Sequence, residues 1–240
     1  MTHFSAVLLD LDGVLISSDE AILELWRQLL SGLGIEASDD ELRHHALGCA
    51  PEHTIEHFLG AFPAAARAAA LLEVTSAEES LKFEVVPGAA ALIAALVRAG
   101  IPVGCVTGAS GARLSRALGS LGALSALAVS VVWGDVENGK PSPDCYALAA
   151  QRLGISPEQC LVVEDSVGGV TAAVTAGCSC IAVAAGDNAE LLDMAGATAV
   201  VESVLSLTLA VAYDNGHVIS TDEGDFYFPP PGGPTGDQGS

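Results

Sequence analysis

The second half of the chain carries short apolar runs at regular intervals: "IPVGCVT" (101–107), "AVSVVWG" (128–134), "QCLVVED" (159–165) and "CSCIAVAAG" (178–186). Each is apolar at successive rather than alternate positions, the pattern of a strand covered on both faces. Between them lie helical patterns, several opened by Ser or Pro and closed by Gly, such as "SPDCYALAAQRLG" and "SVGGVTAAVTAG". Strands alternating with helices predict an α/β fold, a parallel sheet with helices on both sides.

A further apolar run, "AVLLD" (6–10), belongs to the same sheet, yet about seventy residues separate it from the next strand-helix unit, far more than a connection needs. That interval reads as helical throughout, from "EAILELWRQLLSGLG" to "PAAARAAALLEVTSAEESLKF". The chain therefore divides into a core made of 1–15 and 83–212, with a helical bundle, 16–82, inserted into it. A bundle beside a parallel sheet makes a cleft. The tail, 213–240, is rich in Pro, Gly and Asp and reads as a mobile extension, although "AVAYDNGHVIS" can close a hairpin on Asn215-Gly216.

At 240 residues the chain is long enough for a core with such an insertion. Its 30 acidic residues against 9 basic ones, a formal net charge of -21, argue against nucleic-acid and anionic-membrane partners, which need a basic footprint. No signal peptide or spanning segment is evident, so a cytoplasmic protein is expected. Cys49, Cys105, Cys145, Cys160, Cys178 and Cys180 include no CxxC pair and read as buried reduced thiols.

In open parallel sheets, ligands bind beyond the carboxyl ends of the strands. Those ends carry Asp10 and Asp12, then Thr107, then Glu164 and Asp165. Four carboxylates cannot share one crevice ionised without a counter-charge, and a hard divalent cation with oxygen ligands, Mg²⁺, is the economical one. It would in turn hold an anionic substrate. Lys140, one of only two lysines, follows the third run in "NGKPSPD" and reaches the same rim, where it can bind a phosphoryl oxygen.

These segments, "DLDGVL", "VTGAS", "GKPSPD" and "EDSVGGVTAAVTAG", resemble the four motifs of the haloacid dehalogenase superfamily, in order and in approximate spacing, over 6–186. The insertion is similar to the small helical cap of that family's phosphoglucomutase-like and sugar-phosphatase branch, beside a Rossmann-like core. The resemblance implies that Asp10 is the nucleophile that takes the phosphoryl group, and that Asp12 is the general acid and then base. It further implies that Thr107 and Lys140 grip the phosphoryl oxygens, that Asp10, Asp12, Glu164 and Asp165 hold Mg²⁺, and that Gly108 lies at the substrate. The bundle loop Gly48, Cys49 and Pro51, with His53 after it, would face the leaving group and set specificity. His53 and His57, four apart on one helix with His44 and His45 nearby, also have part of the spacing of a zinc site.

Within that superfamily, an acid at Asp12 favours an alkoxide leaving group over a halide, hence phosphate ester chemistry. β-Phosphoglucomutase has a histidine twelve residues after the nucleophile and an arginine in the first cap loop; this chain has Ile22 and Pro51 at the equivalent places. The expected function is hydrolysis of a small sugar or polyol phosphate, with the phosphomutase as the alternative. Phosphoglycolate is disfavoured because no arginine in that loop awaits its carboxylate, and four undamaged motifs disfavour a non-catalytic regulatory module. Monomer and homodimer both remain open.

Overall fold

The computed structural model describes residues 3–184, 186–212 and 215–230. In chain order, β1 (Ala6–Leu9) and β2 (Ile16–Ser17) are followed by α1 (Asp19–Gly32), α2 (Asp39–Ala46), α3 (Pro51–Leu59) and α4 (Ala64–Glu78). Then come β3 (Glu84–Val85), α5 (Ala89–Arg98), β4 (Val103–Val106), α6 (Gly111–Leu121), β5 (Val129–Val131) and α7 (Asp144–Leu153). β6 (Cys160–Glu164), α8 (Val167–Ala176), β7 (Ser179–Val183), α9 (Ala189–Met194) and β8 (Ala199–Val201) complete the alternation. The described chain ends in β9 (Thr208–Val211), β10 (His217–Thr221) and β11 (Gly224–Phe228).

The central sheet has the order β5-β4-β1-β6-β7-β8, and every pair in it is parallel. Its apolar runs are buried on both faces because helices cover both. Val7, Leu9, Leu161 and Val163 pack toward α5 and α6, while Leu8, Val162, Cys180 and Ala182 pack toward α7, α8 and α9. All four residues of β1 are wholly buried. Each large apolar side chain so buried contributes about 1.5–3 kcal/mol, which holds the strand, and with it Asp10, in a fixed place. β1 lies between β4 and β6, so the chain order reverses direction there; this is the switch point at which a crevice opens beyond the strand ends.

Helices α1 to α4 surround a core of their own, with Trp26, Leu23, Leu30, Leu42, Leu59 and Val74 buried in it. The chain leaves the sheet region and returns to it side by side, through an antiparallel pair in which Ile16 faces Val85 and Ser17 faces Glu84. This pair of short strands interrupts the helical reading at the edges of the insertion; with two residues each they are too short to show a period.

Two differences lie at the far end. β8 extends the sheet by a strand of three residues, Ala199–Val201, too short to show a period. The expected hairpin forms, with His217 opposite Val211 and Asn215 at φ +65°, but the segment after it is no mobile extension: β11 pairs with β10, and Phe226 and Phe228 are buried against Phe4. Three aromatic side chains outweigh the turn-forming composition around them. The Pro/Gly-rich end of the tail, 231–240, lies outside the described residues. The six cysteines are free thiols, with Cys49 half-buried and the others buried. Among the described residues no helix is long and apolar enough to cross a membrane.

Candidate active site

The ends of β1, β4 and β6 deliver Asp10, Thr107, Glu164 and Asp165 to one point, and all four are buried. Lys140 enters from the loop before α7 and is equally buried. Its Nζ donates to Asp10 Oδ1 at 2.6 Å, to Glu164 Oε1 at 2.5 Å and to the Val106 carbonyl at 2.9 Å. An ammonium has three donors, so each is engaged here. In this arrangement Lys140 is the counter-charge of Asp10.

Glu164 is tied to the same lysine. Oε1 accepts from Lys140 and from Tyr146 Oη at 2.8 Å, while Oε2 accepts from the Asp165 and Ser166 amides and from Ser166 Oγ at 3.1 Å. Two oxygens offer about four lone-pair positions, and five donors fill them. In this arrangement Glu164 orients Lys140 and the turn into α8. Gly169 permits it, since a Cβ there would fall 1.8 Å from Glu164 Oε1.

Asp165 is the opposite case. Among the described residues nothing donates to its carboxylate, which is buried beside Gly13, where a Cβ would lie 1.8 Å from Oδ2. Burial, then Glu164 and Asp10, raise it well above the usual carboxylate range. Burial pushes Asp10 up to about 8 against the pull of Lys140, with Glu164 and Asp12 pushing the same way. Ligand oxygens of Asp10, Glu164 and Asp165 all lie within 4.8 Å of one another. An uncompensated buried carboxylate in an all-oxygen cluster fits a hard divalent cation such as Mg²⁺.

Asp12 lies two residues beyond Asp10 and its Oδ1 accepts from Arg113 Nη2 at 2.6 Å and from Ser18 Oγ. Arg113 donates also to Ser18 Oγ at 2.7 Å, and its Nε is buried with no partner among the described residues. Burial raises Asp12, opposed first by Arg113 and then by the Ser18 hydrogen bond. Arg113 is the functional residue the motifs did not single out. A signal existed: it stands in the first turn of α6, after the capping Ser110, where a cation opposes the helix dipole and needs an anion to hold it.

The cleft above these groups is lined by Asp10, Asp12, Thr107, Gly108 and Asp165 from below and by Gly48, Cys49 and Pro51 from the bundle. Thr107 Oγ1 accepts from the Ala109 amide at 3.0 Å, which leaves its hydroxyl hydrogen free to donate. The bundle loop sits close: a Cβ on Gly48 would strike Ser166 Oγ at 1.9 Å, and one on Gly108 would meet the Cys49 carbonyl at 3.2 Å. His53 is not among the lining residues. Its Nε2 lies 3.4 Å from His45 Nδ1, and His45 stacks on His57 with ring centroids 3.5 Å apart. Among the described residues these histidines do not bring three ligand atoms together as the acids do.

A family model described as haloacid dehalogenase-like hydrolase matches residues 4–177, which include every one of these acidic groups. The chain belongs to that family. Among its relatives in the haloacid dehalogenase-like family, hexitol phosphatase A of Escherichia coli is 37% identical over 178 residues, covering 73% of this chain and 81% of that one. Validoxylamine A 7'-phosphate phosphatase of Streptomyces hygroscopicus is 33% identical over 197 residues, covering 79% and 90%. Among solved structures, CbbY of Rhodobacter sphaeroides in complex with xylulose-(1,5)bisphosphate superposes with a TM-score of 0.68 at 27% identity, over 85% of this chain and 96% of that one.

Proposed function

We propose that the protein is a magnesium-dependent phosphatase that hydrolyses a small phosphate monoester, a sugar or polyol phosphate, through a phosphorylated Asp10. The class, phosphoric monoester hydrolase, follows from the family and from the phosphatases among its relatives. The observation that carries the rest is the pair formed by a buried Asp10 on Lys140 and a buried Asp165 with no donor of its own, facing one small cleft.

On this reading Asp10 attacks phosphorus as the ester oxygen departs, and Asp12 gives that oxygen its proton. Water then attacks the phosphorus of phospho-Asp10, Asp12 takes its proton, and inorganic phosphate and free Asp10 result. Thr107 donates its hydroxyl hydrogen to a phosphoryl oxygen. As Asp10 passes its charge to the phosphoryl group, the Lys140 N–H that held it is free to follow that charge. The carboxylates of Asp10 and Asp165, with the Asp12 main-chain carbonyl, would hold Mg²⁺, which supplies positive charge opposite the anionic phosphoryl oxygens. Arg113 and Ser18 position Asp12.

A phosphomutase of the same fold must also hold a second phosphate. Ile22 and Pro51, which both line the cleft, supply no charge for it, and Arg113 is already bound to Asp12. The test is phosphate release from a panel of sugar, polyol and two-carbon phosphates, with and without Mg²⁺, beside Asp10→Asn. Metal-dependent release that vanishes in the variant supports the reading; isomerisation of glucose 1-phosphate with a bisphosphate primer, and no release, replaces it with the mutase.

A further inference from the structure

The cleft over Asp10 continues sideways. Glu78 and Gly108 line it and also line a second groove, of about 240 Å³, that runs between α4, at Leu72, Thr75 and Ser76, and the indole of Trp133. Trp133 is fixed by its Nε1, which donates to Glu52 of α3 at 2.8 Å, so the ring spans from the sheet side to the bundle. The side chains of Glu78 and Asp19 accept no hydrogen bond and form no ion pair among the described residues. Arg113 is the one cation in the cleft lining, and it is committed to Asp12 and Ser18.

The junction thus holds two carboxyl side chains with no partner among the described residues, next to an aromatic ring tethered through its N–H. Its acidic groups are Asp12, Asp19, Glu78 and, at the groove, Glu79, against a single guanidinium. A hydroxyl entering here forms a charge-assisted hydrogen bond, whereas a second phosphate or a carboxylate meets like charge. We infer that this groove seats the leaving alcohol and selects an uncharged polyhydroxylated one, with Glu78 accepting its hydroxyl hydrogens and Trp133 covering a C–H face, while a leaving group with a second anionic group is turned away. The inference rests on the phosphatase reading and adds the side of the molecule on which the leaving group lies and the residues that choose it. Specificity of this kind needs both the attractive acceptor and the repulsive charge, and Glu78 supplies both.

Binding to Asp10→Asn, in which transfer cannot proceed, separates the groove from the reaction. With Mg²⁺ present, calorimetry should show sorbitol 6-phosphate binding at least about tenfold tighter than inorganic phosphate, and 2-phosphoglycolate no tighter than phosphate. Adding Glu78→Gln should remove most of the sorbitol 6-phosphate advantage and tighten 2-phosphoglycolate; adding Trp133→Ala should remove the advantage without tightening 2-phosphoglycolate. The inference falls if 2-phosphoglycolate binds as tightly as sorbitol 6-phosphate, or if both substitutions weaken sorbitol 6-phosphate and phosphate by the same factor. The phosphatase reading fails separately, if the wild type releases no phosphate from p-nitrophenyl phosphate with Mg²⁺; the binding pattern then still decides the groove.

Discussion

Arg113 Nη2 lies 2.6 Å from Asp12 Oδ1, although the two residues are 101 positions apart in the chain. The guanidinium is 2% exposed, and Ser18 closes a triangle with both. On the proposed mechanism Asp12 gives and takes a proton at one atom, which gains from being held at a fixed place, and Arg113 is what holds it. Arg113→Ala should destabilise the fold by about 3–5 kcal/mol, since it leaves Asp12 with a buried, unpaired charge. Arg113→Lys keeps the charge and loses the fork, so kcat should fall by about 10²-fold with KM little changed, the cost of a misplaced catalytic group. Urea denaturation and steady-state kinetics on one substrate read the two effects apart.

Asp12 itself should matter in proportion to how badly the leaving group needs a proton. Asp12→Asn should lower kcat on a sugar alcohol phosphate by about 10²–10⁴-fold, the usual contribution of a general acid. On p-nitrophenyl phosphate, whose leaving phenolate is stable without a proton, the formation of phospho-Asp10 should slow far less. Burst kinetics on the two esters check this; equal losses on both would assign Asp12 a purely structural part.

The sheet, the inserted bundle and the convergence of Asp10, Asp12, Thr107, Lys140 and Asp165 were legible because each depends on a local signal: a doubly buried strand reads as a continuous apolar run, and ligands gather where such runs end. What was not legible depends on partners distant in sequence. The bond between Lys140 and Glu164, and those from Tyr146 and Ser166 to Glu164, leave no mark in the sequence, because a side chain's partners are set by its neighbours in the fold. Arg113 has no motif of its own. β11 was hidden by Pro and Gly next to it, although Phe226 and Phe228 alternate as buried strand residues do. His53 sits in the right segment for the cleft, but its position on α3 turns it to His45.

Gly13 tests the proposed metal site without changing one of its carboxylates. It has φ +76°, a conformation that side chains other than glycine rarely adopt, and its missing Cβ leaves the space that Asp165 Oδ2 occupies. Gly13→Ala must push Asp165 aside. The Mg²⁺ concentration for half-maximal activity should rise by about 10–100-fold, as for other changes that misplace a ligand from outside. Activity at saturating Mg²⁺ should recover in part, whereas Asp165→Asn should not recover.

His45 gives the bundle a dependence on acid. Burial, then His57, His44 and His53, lower it to about 4 from an ordinary value of 6.5. Its Nδ1 is 3.4 Å from His53 Nε2, so the two rings can share one hydrogen but cannot both carry an extra one without repulsion. The unfolded chain takes up this proton near pH 6.5 and the folded chain only near 4, so between those values the unfolded state binds more protons. Stability from this group is therefore complete above about pH 6.5, falls as pH drops, and is lost by about pH 4. The raised carboxylates Asp10 and Asp165 act with the opposite sign, since the folded chain holds their protons to higher pH, so the wild-type slope is a sum. The difference between the wild type and His45→Asn isolates the histidine. Melting temperatures of the two should converge as pH falls from 7.5 to 5, and a gap that stays constant across that range would remove His45 as its source.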